Sequence, residues 1–146
     1  MARTGPKVLV ADASVLVKWF VKEPFTRQSL ELKEAHVQLA TRIVVPSVAK
    51  YEVLNALKYS GQFGTDELRR ISKDLDNLQL LEIPFEAQYS ELSVGIADKF
   101  GLTIYDSSYL AIGQERSLPV YSADEKLLEK ARDLKFVHHI REYPEL

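Results

Sequence analysis

Four acidic residues lie where predicted strands end or predicted helices begin. They are Asp12, Glu52, Asp106 and Asp124, and each is set in largely apolar sequence. Burying a carboxylate is costly unless a hydrogen bond or an opposite charge compensates it. A divalent metal ion would compensate all four at once, and carboxylate oxygens suit Mg²⁺ or Mn²⁺. The first hypothesis is therefore a carboxylate metal site.

An alternation of strands and helices would bring these distant acids together. It indicates an α/β fold, a three-layer α/β/α sandwich around a mostly parallel central sheet. In such sheets, functional groups gather outside the carboxyl ends of the strands. We expect one domain over residues 1–146. The predicted strands are 7–11, 42–45, 78–83, 119–121 and 135–139, and the predicted helices are 14–21, 26–40, 48–60, 65–77, 87–100, 103–115 and 125–134.

Composition narrows the class of protein. Apolar residues make up 46% and charged residues 27% of the 146 positions, which is typical of a globular domain. There is no cysteine, so disulfides, zinc–thiolate sites and thiol catalysis are excluded. The net charge of −2 provides no broad basic surface for duplex nucleic acid.

The chain shows no sequence signal for a membrane or for export. No apolar run approaches the roughly 20 residues that span a bilayer. The apolar run that begins at Val8 is interrupted by Asp12, too early for a signal peptide. We therefore expect a cytoplasmic protein without a membrane partner.

Each aspartate also has a purely structural interpretation. Asp12 precedes a helix-like segment and is a plausible N-cap. Ser122 fits the cap of the last helix better than Asp124, because Ser122 has capping-box spacing to a glutamate. Thr103 and Asp106 show the same spacing, so Asp106 could serve only the start of its helix.

Glu52 is harder to explain structurally. Its helical neighbours Val48, Ala49, Asn55 and Ala56 carry no positive charge. No ion pair within the helix offsets its charge, so we expect it to have a partner from elsewhere in the fold.

Two serines lie two residues from an aspartate. Ser14 follows Asp12 and Ser122 precedes Asp124, so their hydroxyls could orient those carboxylates around an ion. Carboxylates brought close together without a cation repel and raise each other's pKa. The four acids together are therefore a stronger indication of a metal site than any one of them alone.

Other chemistries have weaker signals. His138 and His139 are adjacent and would point to opposite sides of a strand, while His36 is isolated. The six glycines form no phosphate-binding loop, and Ser107 and Ser108 lack a Gly-x-Ser-x-Gly frame.

The four acids stand in motifs that together resemble the PIN-domain family, and VapC-type toxins of prokaryotic toxin–antitoxin pairs in particular. The resemblance covers essentially the whole chain, and the ordered set is more specific than any one motif. Serines at 107 and 108 replace a small alanine, and Ser122 replaces a frequent threonine. The motifs are Asp12-Ala-Ser14-Val-Leu-Val-Lys-Trp, Pro-Ser-Val-Ala-Lys-Tyr-Glu52-Val-Leu-Asn, Tyr105-Asp106-Ser-Ser-Tyr-Leu-Ala and Ser122-Ala-Asp124-Glu-Lys-Leu.

The resemblance implies a metal-dependent ribonuclease. Asp12, Glu52, Asp106 and Asp124 match the acidic quartet of the family, with Asp12 and Asp106 as principal ligands of Mg²⁺ or Mn²⁺. The ion would neutralise the scissile phosphate and lower the pKa of a bound water. The implied partners are an RNA substrate, a cognate antitoxin protein and a second copy of the chain.

Two alternatives remain open from the sequence. One is a non-catalytic PIN-fold interaction module whose acids only cap helices. The other is an aspartate-dependent phosphatase or receiver-like domain. Ser14 stands where a phosphatase would have the second aspartate of Asp-x-Asp, which argues against that alternative.

Overall fold

A parallel β-sheet forms the centre of the computed structural model, which describes residues 5–144. The strands lie in the order β3-β2-β1-β4-β5, and each neighbouring pair is parallel. The strands are β1 (Lys7–Ala11), β2 (Thr41–Pro46), β3 (Leu81–Ile83), β4 (Val120–Ser122) and β5 (Val137–His139).

Helices connect these parallel strands, as parallel pairing requires. Helix α6 packs against β1, β2 and β4 with α5 against it, while α2 packs against β2. The predicted α/β/α class with a parallel sheet is confirmed. The helices are α1 (Ala13–Leu16), α2 (Thr26–Val37), α3 (Ala49–Tyr59), α4 (Thr65–Asn77), α5 (Ala87–Phe100), α6 (Ile104–Arg116) and α7 (Glu125–Lys130).

The order of the strands reverses between β1 and β4. The chain adds β2 and β3 on one side of β1, then returns to place β4 on the other side. The backbone N–H of Asp12 donates to the carbonyl of Tyr121 at 3.0 Å, so pairing continues to the strand ends. Such a reversal leaves a crevice at the carboxyl ends of the strands. Asp12 follows β1 and Asp124 follows β4 at this crevice.

The prediction of one continuous helix over residues 14–21 was wrong. Only Ala13–Leu16 is α-helical, and Val17–Trp19 forms a 3₁₀ turn. Two contacts with α2 hold this segment: Ser29 donates its hydroxyl to the Val15 carbonyl at 2.6 Å, and the Trp19 indole donates to the Ser29 carbonyl at 2.8 Å. These tertiary hydrogen bonds favour the tighter turn over a continued helix.

The third strand begins later than predicted. Leu78 is the C-cap of α4, and its carbonyl lies 2.7 Å from Nε2 of the buried His36. Gln79 has a positive φ of 51°, which interrupts extended backbone. Only Leu81–Ile83 pairs with β2.

Two residues of types that often cap helices, Ser47 and Thr65, do not act as N-caps here. Val48 occupies the N-cap of α3 without a side-chain bond, while the Ser47 hydroxyl donates to the Ile83 carbonyl at 3.2 Å. Thr65 is the first residue of α4, where the backbone N–H of Gly64 donates to Glu67 at 2.9 Å.

The remaining helices follow the predictions closely at their starts and less closely at their ends. Helix α5 has the predicted bounds and ends at Gly101, whose φ of 68° is readily adopted by glycine. Helix α7 ends at Lys130, four residues before the predicted end at 134. No helix of residues 5–144 has the length and apolar character needed to cross a bilayer.

Candidate active site

Asp12 lies at the centre of the crevice and is buried, with 4% of its surface exposed. It is the N-cap of α1, where its carboxylate accepts from the backbone N–H of Ser14 at 3.0 Å and from the Ser14 hydroxyl. The capping interpretation of Asp12 is thus correct as local structure. Capping occupies one carboxylate oxygen, Oδ1, in both bonds.

The two predicted serines connect the ends of β1 and β4. The hydroxyl oxygens of Ser14 and Ser122 lie 3.4 Å apart. Ser14 also accepts from the backbone N–H of Ala123 at 2.8 Å, and Ser122 accepts from that of Asp124 at 3.0 Å. These bonds fix the loop after β4 against the start of α1.

Asp124 caps the last helix, contrary to the prediction that Ser122 would do so. Its carboxylate accepts from the backbone N–H groups of Lys126 and Leu127 at 3.0 and 3.2 Å. Ser122 is the last residue of β4, and its hydroxyl accepts from the backbone N–H of the cap residue Asp124 and not from the first turn of the helix. The strand extends one residue further than expected, which moves the cap to Asp124.

Glu52 has the partner from another element that the sequence required. The hydroxyl of Tyr109, on α6, donates to Glu52 Oε1 at 2.7 Å. Tyr109 is buried, whereas Glu52 is partly exposed at the crevice. A neutral hydroxyl stabilises the carboxylate by hydrogen bonding but does not neutralise its charge.

Asp106 lies in the first turn of α6 without acting as its cap. Thr103 is the N-cap, and its hydroxyl accepts from the backbone N–H of Asp106 at 3.0 Å. The side chain of Asp106 is partly exposed and is not required for this cap. Its carboxylate is therefore available to the crevice.

The pKa values show that the acids act on one another. Burial raises the pKa of Asp12 to about 7; bonds from Ser122 and Ser14 oppose the rise, and the charges of Asp124 and Asp106 add to it. Burial also raises the pKa of Asp106, and the charge of Asp124 adds to this effect. The pKa of Glu52 is raised by burial and by Asp106, against the hydrogen bond from Tyr109. The four carboxylates therefore share one electrostatic environment.

The donor chemistry of this set suits a hard divalent cation. All candidate ligands are oxygens, and the mutual repulsion of the acids would be relieved by positive charge. Within residues 5–144, however, no three His, Cys, Asp or Glu side chains are grouped so as to hold an ion. The carboxylates would have to turn towards a common point to bind one.

Tyr109 was missed as a site residue by the sequence reasoning. A signal was present, because Tyr109 lies three residues after Asp106 and so shares its helical face. The pairing with Glu52 joins positions 57 residues apart and could not be read from either motif alone.

Comparison with known proteins identifies the family. The family model of the PIN domain matches residues 9–133, which include all four acids. The chain belongs to the PIN domain family. The predicted resemblance is confirmed on this point.

Individual PIN-domain relatives are more distant. Ribonuclease VapC3 of Pyrobaculum aerophilum is 29% identical over 126 residues, which cover 84% of this chain and 93% of that protein. A chain of a toxin–antitoxin complex from Klebsiella pneumoniae superposes with a TM-score of 0.67 at 17% identity, covering 90% of this chain and 97% of that one. PAE2754 from Pyrobaculum aerophilum gives a TM-score of 0.65 at 20% identity, covering 93% and 85%. At these identities the structures support the fold.

Proposed function

We propose that this PIN-domain protein is an endoribonuclease that depends on Mg²⁺ or Mn²⁺. The observation that carries the proposal is the convergence of four carboxylates from four separate motifs at the strand-order reversal. Burial raises the pKa values of Asp12, Glu52 and Asp106, and the charges of neighbouring acids of the set add to the rise. A protein whose acids only capped helices would gain nothing from placing Glu52 and Asp106 in that environment.

Each residue of the site has a distinct role in the proposed reaction. Asp12 and Asp106 are the principal ligands, and Glu52 and Asp124 complete the site. Ser14 and Ser122 hold the loops that carry Asp12 and Asp124. When bound, the divalent ion supplies charge neutralisation of the scissile phosphate and acidifies a water molecule.

The substrate proposal rests on the family and on one relative. Ribonuclease VapC3, by its name, acts on RNA, and it aligns with most of this chain. By the same resemblance the products carry 5′-phosphate and 3′-hydroxyl ends. The absence of cysteine from the sequence is consistent with the expected cytoplasmic location.

The direct test is cleavage of a labelled single-stranded RNA pool with Mg²⁺, Mn²⁺ or EDTA. Asp106→Asn preserves side-chain size and removes the charge, so we expect at least a roughly hundredfold loss of metal-dependent cleavage. Asp98→Asn is the matched control, because Asp98 is an exposed aspartate on α5. Cleavage that survives EDTA, or equal rates for the wild type and Asp106→Asn, would contradict the proposal.

A non-catalytic PIN module is the second candidate. It is favoured by the caps that Asp12 and Asp124 form, and by the lack of a grouped set of three metal ligands among the described residues. The same experiment distinguishes the two functions. Divalent-ion binding without RNA cleavage would support the module.

The proposed biological role is that of the toxin in a type II toxin–antitoxin pair. The structure from Klebsiella pneumoniae that shares this fold is a toxin–antitoxin complex. A groove of about 480 Å³ borders the crevice and includes Ser14, Val17, Phe25 and Ala123. It is a suitable site for an extended antitoxin segment near the acids. Co-purification with the product of a neighbouring gene tests this role.

A homodimer is proposed through an exposed apolar surface. Tyr51, Phe85, Ile104 and Tyr105, here called the tyrosine patch, line a depression of about 280 Å³ without a charged residue. Tyr51 is 77% and Tyr105 is 60% exposed. A patch without charge can pair with its own copy around a twofold axis without electrostatic repulsion. Exposed apolar surface of this kind is typical of an interaction site.

A further inference from the structure

Tyr109 is placed to control the geometry of the acidic site from beneath it. Only 1% of the Tyr109 surface is exposed, and its hydroxyl donates to Glu52 Oε1 at 2.7 Å. The hydroxyl oxygen of Tyr109 also faces the backbone of Ala13, the residue after Asp12. The hydroxyl of this α6 residue therefore faces both Glu52 on α3 and the start of α1.

We propose that Tyr109 is a positioning residue that fixes the Glu52 carboxylate relative to Asp12 and Asp106 and so determines the affinity of the site for a divalent cation. This inference rests on the proposed metal-dependent function. It assigns to Tyr109 no contact with the substrate or with the ion.

The position of Tyr109 in the helix supports this role. Tyr109 lies one helical turn after Asp106 on α6, so both residues face the same side of the helix. The packed ring places the hydroxyl reproducibly, because a buried aromatic side chain has little rotational freedom. Asp106 and the hydrogen bond to Glu52 are thus held by one rigid element.

The chemistry of the hydroxyl also supports it. The Tyr109 hydroxyl donates to Glu52 Oε1 at 2.7 Å, and no other side chain is seen to bond to that carboxylate among the described residues. Glu52 has no cation among its helical neighbours, and it is only partly buried. Without the tyrosine bond, its carboxylate would be free to rotate towards solvent.

Tyr109→Phe tests the inference, since it keeps the ring and removes only the hydroxyl. We expect calorimetric titration with Mn²⁺ alone to show an affinity loss of about tenfold or more, the range found for outer hydrogen bonds to metal ligands. RNA cleavage should recover at saturating Mn²⁺, because the ligands themselves remain. Tyr121→Phe is the control: Tyr121 is equally buried, at 2% exposure, and packs against Tyr143 and His138.

A double-mutant cycle with Glu52→Gln separates positioning from general destabilisation. If Tyr109 acts through Glu52, the effect of Tyr109→Phe on Mn²⁺ affinity disappears in the Glu52→Gln background. An additive effect would overturn the inference, and so would unchanged affinity in Tyr109→Phe. A wild type that binds neither Mn²⁺ nor Mg²⁺ would instead overturn the proposed metal site itself, and the inference with it.

Discussion

The hydroxyl oxygens of Ser14 and Ser122 lie 3.4 Å apart, although 108 residues separate them in the chain. Ser14 also bonds to Asp12, and Ser122 accepts from the backbone N–H of Asp124. The serine pair therefore joins the two loops that carry these aspartates across the reversal of strand order. The proposed site therefore depends on the pairing of β1 with β4 in the parallel sheet, because neither sequence motif alone brings the two aspartates together.

Loss of the Ser14 hydroxyl should affect both stability and activity. Ser14→Ala removes a bond to Asp12 and leaves the Ala123 N–H without its acceptor. We expect a free energy of unfolding lower by about 1–3 kcal/mol and metal-dependent cleavage slower by roughly 10–100-fold. Urea unfolding and RNA cleavage measure the two effects.

The matched control for Ser14→Ala is Ser93→Ala. Ser93 is fully buried, but its hydroxyl donates to the Tyr89 carbonyl within α5, away from the acids. It should lose stability without a specific loss of cleavage. Equal loss of cleavage in both variants would show that destabilisation alone explains the effect.

Stability of the metal-free protein should fall as the pH rises through 7. Burial raises the pKa of Asp12 from its ordinary value of 3.8 to about 7 in the folded state. The folded protein binds more protons than the unfolded chain between these values, so stability is greatest at low pH and is lost as Asp12 ionises. Thermal unfolding in EDTA at pH 5.5 and pH 8 measures the change.

Asp12→Asn should reduce this pH dependence. Asparagine retains an oxygen that can accept the Ser14 bonds but has no ionisation. A weaker dependence of stability on pH should remain in this variant, because the pKa values of Glu52 and Asp106 are also raised. A wild-type protein that becomes more stable between pH 5.5 and pH 8 would disprove the assignment.

Added Mn²⁺ should stabilise the fold, and more strongly at pH 8 than at pH 5.5. A cation relieves the repulsion between ionised carboxylates, whereas protons compete with it at lower pH. At a concentration about 100-fold above Kd, the expected stabilisation is about 2.7 kcal/mol. Thermal shift measurements should show this increase in the wild type and a much smaller one in Asp106→Asn. Equal shifts for the two proteins would exclude Asp106 as a principal ligand.

Gly113 is required for close packing of α6 against the sheet. A Cβ atom at this position would overlap Val120 Cγ2 and lie 3.1 Å from the Leu118 carbonyl oxygen. Gly113→Ala should lower the free energy of unfolding by about 1–3 kcal/mol through overpacking. Gly95→Ala is the control, because a Cβ there meets no atom within 4 Å. Gly95→Ala should leave stability unchanged or raise it by up to about 1 kcal/mol, because alanine favours the helix more than glycine does. Chemical denaturation of both variants measures the difference.

The tyrosine patch should mediate self-association. Tyr51→Lys introduces a charge that would face its own copy, so we expect sedimentation at micromolar concentrations to change from dimer to monomer. Tyr59→Lys is the control, since Tyr59 is 76% exposed on the same helix but lies outside the patch. A monomeric wild type, or dissociation caused by both substitutions, would contradict the proposed interface.

The sequence by itself determined the class of fold and the family. The apolar run of β1 has no alternation, as expected for a strand buried on both faces, and its end at Asp12 could be read directly. Strands separated by helical segments predicted a parallel sheet, whose strand ends brought acids from distant motifs to one edge. The strands and helices could be predicted from the sequence because the period of apolar residues and the ends of strands are properties of short segments.

The tertiary structure decided how the acids are held. Tyr109 of α6 and Glu52 of α3 meet through a hydrogen bond between elements far apart in the chain, and the length of β4 decided that Asp124, not Ser122, caps α7. The predicted first helix continues as a 3₁₀ turn over Val17–Trp19, where Ser29 of α2 bonds to the segment. These outcomes depend on contacts between residues far apart in the chain, so no local pattern could specify them. The raised pKa of Asp12 has the same origin, because burial by the whole fold is its main cause.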